Sequence, residues 1–199
     1  MAVHITTTQQ AAQLHGIKCL VYGKSGAGKT KLAATAPTPI ILSAESGILS
    51  LREFQIPMIQ IKTVADLTEV HQWALNSAEA KQFATIYIDS ISEIGEVVLA
   101  NAKAQVKDPR QAYGELIEKM MATIKAFRDL PGKNVYFSAK LEKSQDEMGK
   151  LLYNPAMPGK ALTQGLPYFF DEVLALRVER DADGNAHRAL MCDSDGLWL

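Results

Sequence analysis

The segment Gly23-Lys-Ser-Gly-Ala-Gly-Lys-Thr30 constrains the fold of this chain more than any other stretch, because it matches the pattern G-x-x-x-x-G-K-[ST]. An apolar run, Ile17–Tyr22, precedes it, and residues 29–36, which are rich in good helix formers, follow it up to Pro37. A strand that leads through a glycine-rich turn into a helix is the context in which this pattern cradles phosphate groups. The segment therefore predicts a nucleotide-binding loop.

The residue types of this loop each suit phosphate binding. Glycines allow successive backbone N–H groups to turn inward around phosphates, and the start of the following helix adds positive potential. The Lys29 ammonium is expected to reach the β- and γ-phosphates, and the Thr30 hydroxyl to coordinate Mg²⁺. The predicted cofactors are ATP and Mg²⁺. The predicted cofactor-binding residues are Gly23, Lys24, Ser25, Gly26, Ala27, Gly28, Lys29 and Thr30.

Two acidic residues follow other predicted strands. Asp89 ends the apolar run Ile86–Ile88, where a carboxylate holds the water shell of Mg²⁺, so Thr30 and Asp89 are the predicted metal-binding residues. Glu45 follows a second predicted strand, and a carboxylate there would orient and deprotonate an attacking water. Lys29, Glu45 and Asp89 are the predicted catalytic residues. The alternatives are that Asp89 only ends its strand and caps the next helix, and that Glu45 is a solvated loop residue.

Apolar runs alternate with amphipathic stretches, which is typical of an α/β protein with a mainly parallel sheet. Strands are predicted at residues 17–22, 39–43, 57–61, 83–89 and 134–138, and a C-terminal antiparallel hairpin at 171–178 and 187–191. Helices are predicted from Thr63, from Ser90 and, with the clearest periodicity, at 111–130. We therefore predict one α/β domain over residues 1–199, a twisted sheet flanked by helices. It has an N-terminal extension at 1–15 and a long loop at 140–166.

The same periodicity predicts which side chains pack in the core. The helix from Thr63 is expected to bury Leu67, Val70 and Leu75. The helix at 111–130 presents an apolar stripe, which we interpret as core packing rather than a ligand surface. Its members are Tyr113, Leu116, Ile117, Met120, Met121, Ile124 and Phe127.

Composition excludes several classes of protein. A hydrophobic content of 47% over 199 residues is too high for a disordered chain, and no apolar run approaches the roughly 20 residues of a membrane span. Cys19 and Cys192 are too few for a disulfide framework, and the four histidines lack zinc-ligand spacing. With no signal peptide in the sequence, we expect a cytoplasmic protein. A net charge of −1 argues against wholesale coating of nucleic acid but permits a local basic patch.

The order of these motifs resembles the RecA-like ATPase core, and it is similar in particular to the short RecA-like, AAA-type nucleotide-binding proteins of phages. Some members of that family act as single-strand annealing ATPases. The resemblance extends over residues 15–192. The residues that carry it are Gly23–Thr30, Ala44-Glu45, Ile88-Asp89-Ser90 and Ser138-Ala-Lys140, together with Pro155–Lys160 leading to Phe170–Val173.

The resemblance implies a RecA-like fold in which Glu45 activates water and Asp89 binds Mg²⁺ through water. It also implies ATP hydrolysis in single-stranded DNA annealing or recombination, in the cytoplasm of a bacterial host. The implied partners are single-stranded DNA, a single-strand-binding protein and further copies of the chain in a ring or filament.

The sequence departs from the RecA pattern where the γ-phosphate is sensed. RecA proteins usually have a glutamine near the end of the strand that here reads Phe137-Ser-Ala-Lys140. Lys140 or Ser138 is the candidate substitute, and the alternative is that both are ordinary strand-end residues.

Two further expectations concern partners. The loop that touches DNA in RecA-like recombinases corresponds to a stretch with Lys140, Lys143, Lys150 and Lys160, diluted by Glu142, Asp146 and Glu147. A DNA-binding loop and a solvated charged loop both fit this pattern. Candidates for a basic residue that enters a neighbouring subunit's site are Lys160, Arg177 and Arg180, against the alternative of ordinary surface charges.

Two other functions remain open at this level. A small P-loop kinase would fit the size of the chain, although such kinases generally need arginine-rich lids and this chain has only six arginines. The position of Glu45 also suits hydrolysis better than transfer to a bound acceptor. The second alternative is a nucleotide-gated assembly module that hardly turns over.

Overall fold

The computed structural model describes residues 6, 7, 9, 16–45 and 48–198. The strands are β1 (Lys18–Gly23), β2 (Pro39–Ser43), β3 (Met58–Gln60), β4 (Thr85–Asp89), β5 (Asn134–Gln145), β6 (Leu151–Ala156), β7 (Glu172–Arg180) and β8 (Ala186–Met191). The α-helices are α1 (Val64–Asn76), α2 (Ile91–Gln105), α3 (Pro109–Arg128) and α4 (Lys160–Gly165). Short 3₁₀ helices lie at Thr30–Thr35, Ile48–Leu51, Glu79–Gln82 and Leu166–Phe169. The extension predicted for residues 1–15 lies almost wholly outside the described residues.

The strands form one sheet in the order β3-β2-β4-β5-β1-β7-β8, with β6 paired to the second half of β5. β1 lies parallel to β5 and β7, and β4 lies parallel to β2 and β5. β7 and β8 form an antiparallel hairpin. The predicted fold, a mainly parallel sheet flanked by helices with a C-terminal antiparallel hairpin, is confirmed.

The parallel strands bring the predicted site residues to one edge of the sheet. Parallel strands end on the same side, so the residues that follow β1, β2 and β4 are neighbours. In register, Gly23 lies beside Lys140 of β5, and Ser43 lies beside Asp89. The glycine-rich loop, Glu45 and Asp89 therefore share this edge.

The helix α3 buries one face in the main hydrophobic core. Its buried residues are Ala112, Leu116, Met120, Ile124 and Phe127. Their spacing of three or four residues places them on one side of the helix. The predicted apolar stripe is thus core along its centre, whereas Tyr113 and Met121 lie at its margins with 39% and 36% exposure.

The helix α1 begins with the predicted capping box. The Thr63 side chain accepts from the Asp66 N–H, and the Asp66 side chain accepts from the Thr63 N–H. The helix buries Leu67 and Val70 as predicted. The prediction for Leu75 is wrong: its side chain is 42% exposed, and Ala74 takes the core position one residue earlier.

The long loop predicted at residues 140–166 is a correction to the sequence interpretation, because much of this segment is regular structure. β5 continues to Gln145, and β6 returns antiparallel to it, with Lys140 opposite Ala156 and Gln145 opposite Leu151. The helix α4 follows. The polar composition that indicated a loop is compatible with this hairpin because the side chains near its tip, at residues 145–151, are exposed.

Three smaller features complete the fold. The segment after the glycine-rich loop is a 3₁₀ helix, with i→i−3 bonds from Lys31 N to Gly28 O and from Leu32 N to Lys29 O, because a piece this short before Pro37 closes only tight turns. Cys19 is buried and Cys192 is exposed, and both are free thiols. No helix within the described ranges is long and apolar enough to cross a membrane.

Candidate nucleotide-binding site

The glycine-rich loop leaves β1 at Gly23 and turns through two left-handed residues, Gly26 (φ +76°) and Gly28 (φ +105°). Side chains disfavour these φ values, which explains the glycines at both positions. Within the described part of the chain, the N–H groups of Gly26, Gly28 and Lys29 donate to no other backbone group. Free amide donors in such a turn form a concave site for an anion.

The Lys29 side chain lies across the loop that precedes it. Its ammonium donates to the carbonyl oxygens of Gly23, at 2.9 Å, and Lys24, at 3.2 Å. Burial lowers the pKa of Lys29, and the nearby carboxylates of Asp89 and Glu45 oppose that shift by raising it. A cation held beside free amide donors strengthens the attraction of the loop for phosphate.

Tyr87 of β4 holds the Lys29 backbone in place through a hydrogen bond. The Tyr87 hydroxyl donates to the Lys29 carbonyl oxygen over 2.5 Å, and the tyrosine is fully buried. Burial raises the pKa of Tyr87 well above its ordinary value, so the hydroxyl stays a donor at physiological pH. The loop is thereby anchored to the core strand that ends in Asp89.

Asp89 joins three elements of the site. Its Oδ2 accepts from the Thr30 hydroxyl over 2.8 Å, and its Oδ1 accepts from the Ser138 hydroxyl over 2.5 Å. Its backbone carbonyl accepts from the N–H of Ala44, next to Glu45. The side chain is only 4% exposed, so these bonds hold the carboxylate in one orientation with Oδ2 towards Thr30.

Glu45 is half-buried and is held by two serines. The Ser90 hydroxyl donates to Glu45 Oε1 over 2.6 Å. The Ser43 hydroxyl donates to the Glu45 carbonyl oxygen over 2.8 Å and lies 3.2 Å from the Glu45 N–H. Both backbone and carboxylate of this residue are therefore fixed relative to β2 and the start of α2.

A cleft of about 480 Å³ opens beside the loop on the side of Glu45. It is lined by Lys24, Ser25, Lys29, Glu45, Lys140, Leu141 and Lys143. Four of these seven residues are lysines, so the cleft favours an anionic ligand.

A second cleft of about 380 Å³ opens on another side of the loop. It is lined by Lys24, Ser25, Gly26, Ala27, Arg177, Val178 and Trp198. The Trp198 ring stacks on Tyr153, with centroids 4.4 Å apart and planes 13° apart, and the Arg177 guanidinium lies 5.2 Å from the Trp198 ring centroid. Lys24 and Ser25 line both clefts. The loop therefore separates the first cleft, which is rich in lysine, from the second cleft, which is lined by Trp198.

Comparison with known proteins identifies the family. A family model described as an AAA domain matches residues 15–198. The chain belongs to this AAA domain family. No curated protein matches the sequence. Among solved structures, the KaiC-like protein of the hyperthermophilic archaeon Pyrococcus horikoshii OT3 aligns with a TM-score of 0.51 and 13% identity, over 89% of this chain and 78% of that chain.

The family match and the structural match both indicate a P-loop ATPase fold. At 13% identity the structural likeness shows the fold alone, which is that of a RecA-like P-loop ATPase. Such folds generally bind nucleotide with Mg²⁺ at the phosphate loop. The residues that the sequence singles out, Gly23–Thr30, Glu45 and Asp89, lie together at that loop.

Of the other residues predicted to act in this AAA domain, some lie at the site and others do not. Ser138 touches Asp89, and Lys140 lines the first cleft while its ammonium forms an ion pair with Glu93. That hydrogen bond to Glu93 raises the pKa of Lys140. Arg177 lines the second cleft, whereas Arg180 donates to Gly184 O within its own hairpin turn. Lys150 and Lys160 line neither of these clefts.

Several contacts at the site have no signal in the sequence. Ser90 reads as a helix cap and as part of the Ile88-Asp89-Ser90 motif, with no sign of its bond to Glu45, and Tyr87 reads as one apolar member of a buried strand. Trp198 stands in the last few residues, outside every motif. Arg188 lies in an exposed hairpin strand, 161 residues from its partner Ala27. These residues become site residues only through long-range pairing of strands.

Proposed function

We propose that the protein binds ATP through Gly23–Thr30 and hydrolyses it with Mg²⁺. The observation that carries this proposal is the Thr30–Asp89 contact, 2.8 Å from hydroxyl to carboxylate oxygen, with Glu45 at the same end of the sheet. This contact supports the proposal of a metal-binding pair, with Glu45 as the proposed general base beside the same loop.

The donor set at Thr30 and Asp89 fits Mg²⁺. The ion prefers oxygen ligands and usually keeps several waters while taking one or two protein oxygens and the phosphates of the nucleotide. Thr30 would supply a hydroxyl oxygen, and Asp89 would hold the ion through water. When bound, Mg²⁺ neutralises charge that develops on the β- and γ-phosphate oxygens. Ser138 keeps Asp89 in place by donating to its other oxygen.

Glu45 is proposed as the general base. Its carboxylate accepts the proton of a water while the water oxygen bonds to the γ-phosphorus, and the bond to the β–γ bridging oxygen breaks to leave ADP and phosphate. Ser90 holds Oε1 and leaves Oε2 for the water. Lys29 would move from its loop carbonyls to the phosphates, and Lys140 is the proposed contact to the γ-phosphate from the cationic cleft.

The second cleft is the proposed position of the nucleoside. The phosphates occupy the loop, and Glu45 defines the γ-phosphate side, so the base and sugar extend the other way. Trp198 and Arg177 offer planar groups there for stacking.

We also propose that the ATPase acts on single-stranded DNA in a phage-type annealing or recombination reaction, as an oligomer. The support is the motif order together with the hairpin of β5 and β6. That hairpin begins at Lys140 in the cationic cleft, carries Lys143 and Lys150, and ends in a turn where Met148 is 94% exposed. The phosphates of the DNA backbone would contact these lysines. The DNA bases would contact the exposed side chain of Met148.

The direct test is ATP hydrolysis with Mg²⁺, with and without single-stranded DNA at low salt. We expect Lys29→Ala to abolish nucleotide binding and Glu45→Gln to lower turnover by about 10²–10⁴-fold while ATP still binds, because only the base is removed. Lys31→Ala and Glu53→Gln, at exposed positions outside the clefts, are the matched controls. Binding without turnover would instead support the gated assembly module, and transfer to an acceptor would support a kinase.

The DNA part of the proposal has its own test. We expect Lys150→Glu to remove stimulation by single-stranded DNA while basal hydrolysis stays, since Lys150 lines neither cleft. Lys107→Glu makes the same charge change at an exposed residue between α2 and α3 and is the control. Hydrolysis that ignores DNA in the unaltered protein would contradict this part alone.

A further inference from the structure

The C-terminal hairpin reaches the phosphate loop through Arg188 of β8. Arg188 Nε donates to the Ala27 carbonyl oxygen over 2.8 Å. The same side chain packs against Gly28, where an added Cβ would lie 2.8 Å from Nε and 3.2 Å from Cδ of Arg188. The loop and the arginine are therefore in close contact along two consecutive residues.

This hydrogen bond fixes the peptide that joins Ala27 to Gly28. The peptide is trans, so its carbonyl and its N–H point in opposite directions. A carbonyl held towards the hairpin directs the Gly28 N–H away from the hairpin. That N–H donates to no backbone carbonyl among the described residues, which leaves it available to a ligand.

The glycine that follows Ala27 makes this peptide easy to rotate. Rotating the peptide changes ψ of Ala27 and φ of Gly28, and Gly28 (φ +105°) has no side chain to limit its φ. A rotated peptide would point its carbonyl oxygen, instead of an N–H, at the phosphates and repel them. A hydrogen bond from a charged guanidinium is stronger than one between neutral groups and suits the task of preventing this rotation.

We propose that Arg188 is a positioning residue of the phosphate loop, which by holding the Ala27 carbonyl keeps the Gly28 N–H aimed at the phosphates of the bound nucleotide. This inference rests on the proposed function, because it assumes that the loop binds phosphates. It assigns to the C-terminal hairpin a part in nucleotide affinity that is separate from the chemical step.

The test compares two substitutions that differ only in the hydrogen bond. Gln carries its Nε2 at the same position along the side chain as Arg Nε, so Arg188→Gln keeps the donor and loses the charge. Arg188→Met removes the donor. Arg180→Met is the matched control, since Arg180 lies in the same hairpin and its one hydrogen-bond acceptor among the described residues is Gly184 O of its own turn.

The ligands are MgATP and magnesium pyrophosphate, and pyrophosphate has no base or sugar, so it reports on the loop alone. We expect Arg188→Met to weaken both by about tenfold, equivalent to about 1.4 kcal/mol, with kcat at saturating ATP within about twofold. Arg188→Gln is expected to stay within about threefold of the unaltered protein, and Arg180→Met within about twofold.

A spectroscopic readout follows the loop directly. The chain has 13 glycines, so glycine-selective ¹⁵N labelling gives a short set of amide signals. We expect the Gly28 amide signal to move on addition of pyrophosphate, and to move less in Arg188→Met.

The outcomes separate the two proposals. An unaltered protein that binds neither ligand contradicts the proposed function. If the unaltered protein binds both ligands and Lys29→Ala binds neither, wild-type affinity in Arg188→Met overturns the positioning role alone. A loss confined to ATP, a loss equal in Gln and Met, or a loss of kcat at unchanged affinity also overturns it.

Discussion

The Ser90 hydroxyl donates to Glu45 Oε1 over 2.6 Å and accepts from the N–H of Glu93 at 3.3 Å. One side chain therefore caps the helix α2 and orients the candidate general base. The capping geometry at the start of α2 fixes the Ser90 side chain. The Ser90 hydroxyl in turn fixes the orientation of the Glu45 carboxylate.

Substitution of Ser90 tests the orientation of Glu45 separately from the binding of ATP. We expect Ser90→Ala to lower kcat about fivefold with ATP affinity unchanged, because a net hydrogen bond of about 1 kcal/mol no longer holds Glu45. The lost cap also lowers the free energy of unfolding by about 1 kcal/mol. Ser90→Thr keeps the hydroxyl and is the control, measured by steady-state kinetics and urea unfolding. An unchanged kcat in Ser90→Ala would show that Glu45 does not need this partner.

Ser138 is expected to affect Mg²⁺ rather than the nucleotide. In Ser138→Ala, Asp89 loses its buried donor to Oδ1, so its orientation towards Thr30 is less restricted. A hydrogen bond to a charged group contributes about 1.5–3 kcal/mol, so the Mg²⁺ concentration for half-maximal hydrolysis should rise about tenfold or more. Ser144→Ala, on the same strand and bonded to Asn154, is the control. A Mg²⁺ titration that superposes on the unaltered curve would contradict this role.

The buried thiol of Cys19 makes stability sensitive to alkaline pH. Burial raises the pKa of Cys19 from 9.0 to about 12, so above pH 9 the unfolded chain releases this proton while the folded chain keeps it. The stabilising effect is complete below pH 9 and is lost as the pH rises towards 12. Relative to Cys19→Ala, the unaltered protein should lose about 1.4 kcal/mol of unfolding free energy between pH 8 and pH 10.

Urea unfolding at the two pH values measures that difference. The exposed Cys192 is present in both proteins, so its contribution to the pH dependence cancels in the comparison. A constant difference between pH 8 and pH 10 would show that Cys19 ionises as an exposed thiol does.

Much of the sheet and the phosphate loop could be predicted because the signals are local. The glycines and Lys29 stand within eight residues, and Asp89 directly ends a buried apolar run. Parallel strands then bring Glu45 and Asp89 to the loop as a consequence of topology. The family resemblance added the roles of these residues, which remain proposals.

What could not be predicted depends on packing between distant segments. Arg188 meets Ala27 because β7 pairs with β1, the strand that leads into the loop, and β8 pairs with β7. The sequence predicts the hairpin of β7 and β8, but no local pattern encodes its position beside β1. The strand β6 was missed because half of its hairpin is solvated and carries no apolar alternation. Leu75 and Ala74 are adjacent on α1, and the packing of this helix against its neighbours decides which of them is buried.

The strand β5 runs unbroken from the middle of the sheet to the tip of its hairpin, from Asn134 to Gln145. Ser138, beside Asp89, and Gln145 are then about 23 Å apart along one extended backbone, at roughly 3.3 Å per residue. By geometry alone, a tilt of about 5° at Ser138 would displace a point about 23 Å along the strand by about 2 Å. A tilt of β5 where Ser138 contacts Asp89 would therefore move the exposed tip of the hairpin further than it moves Ser138 itself.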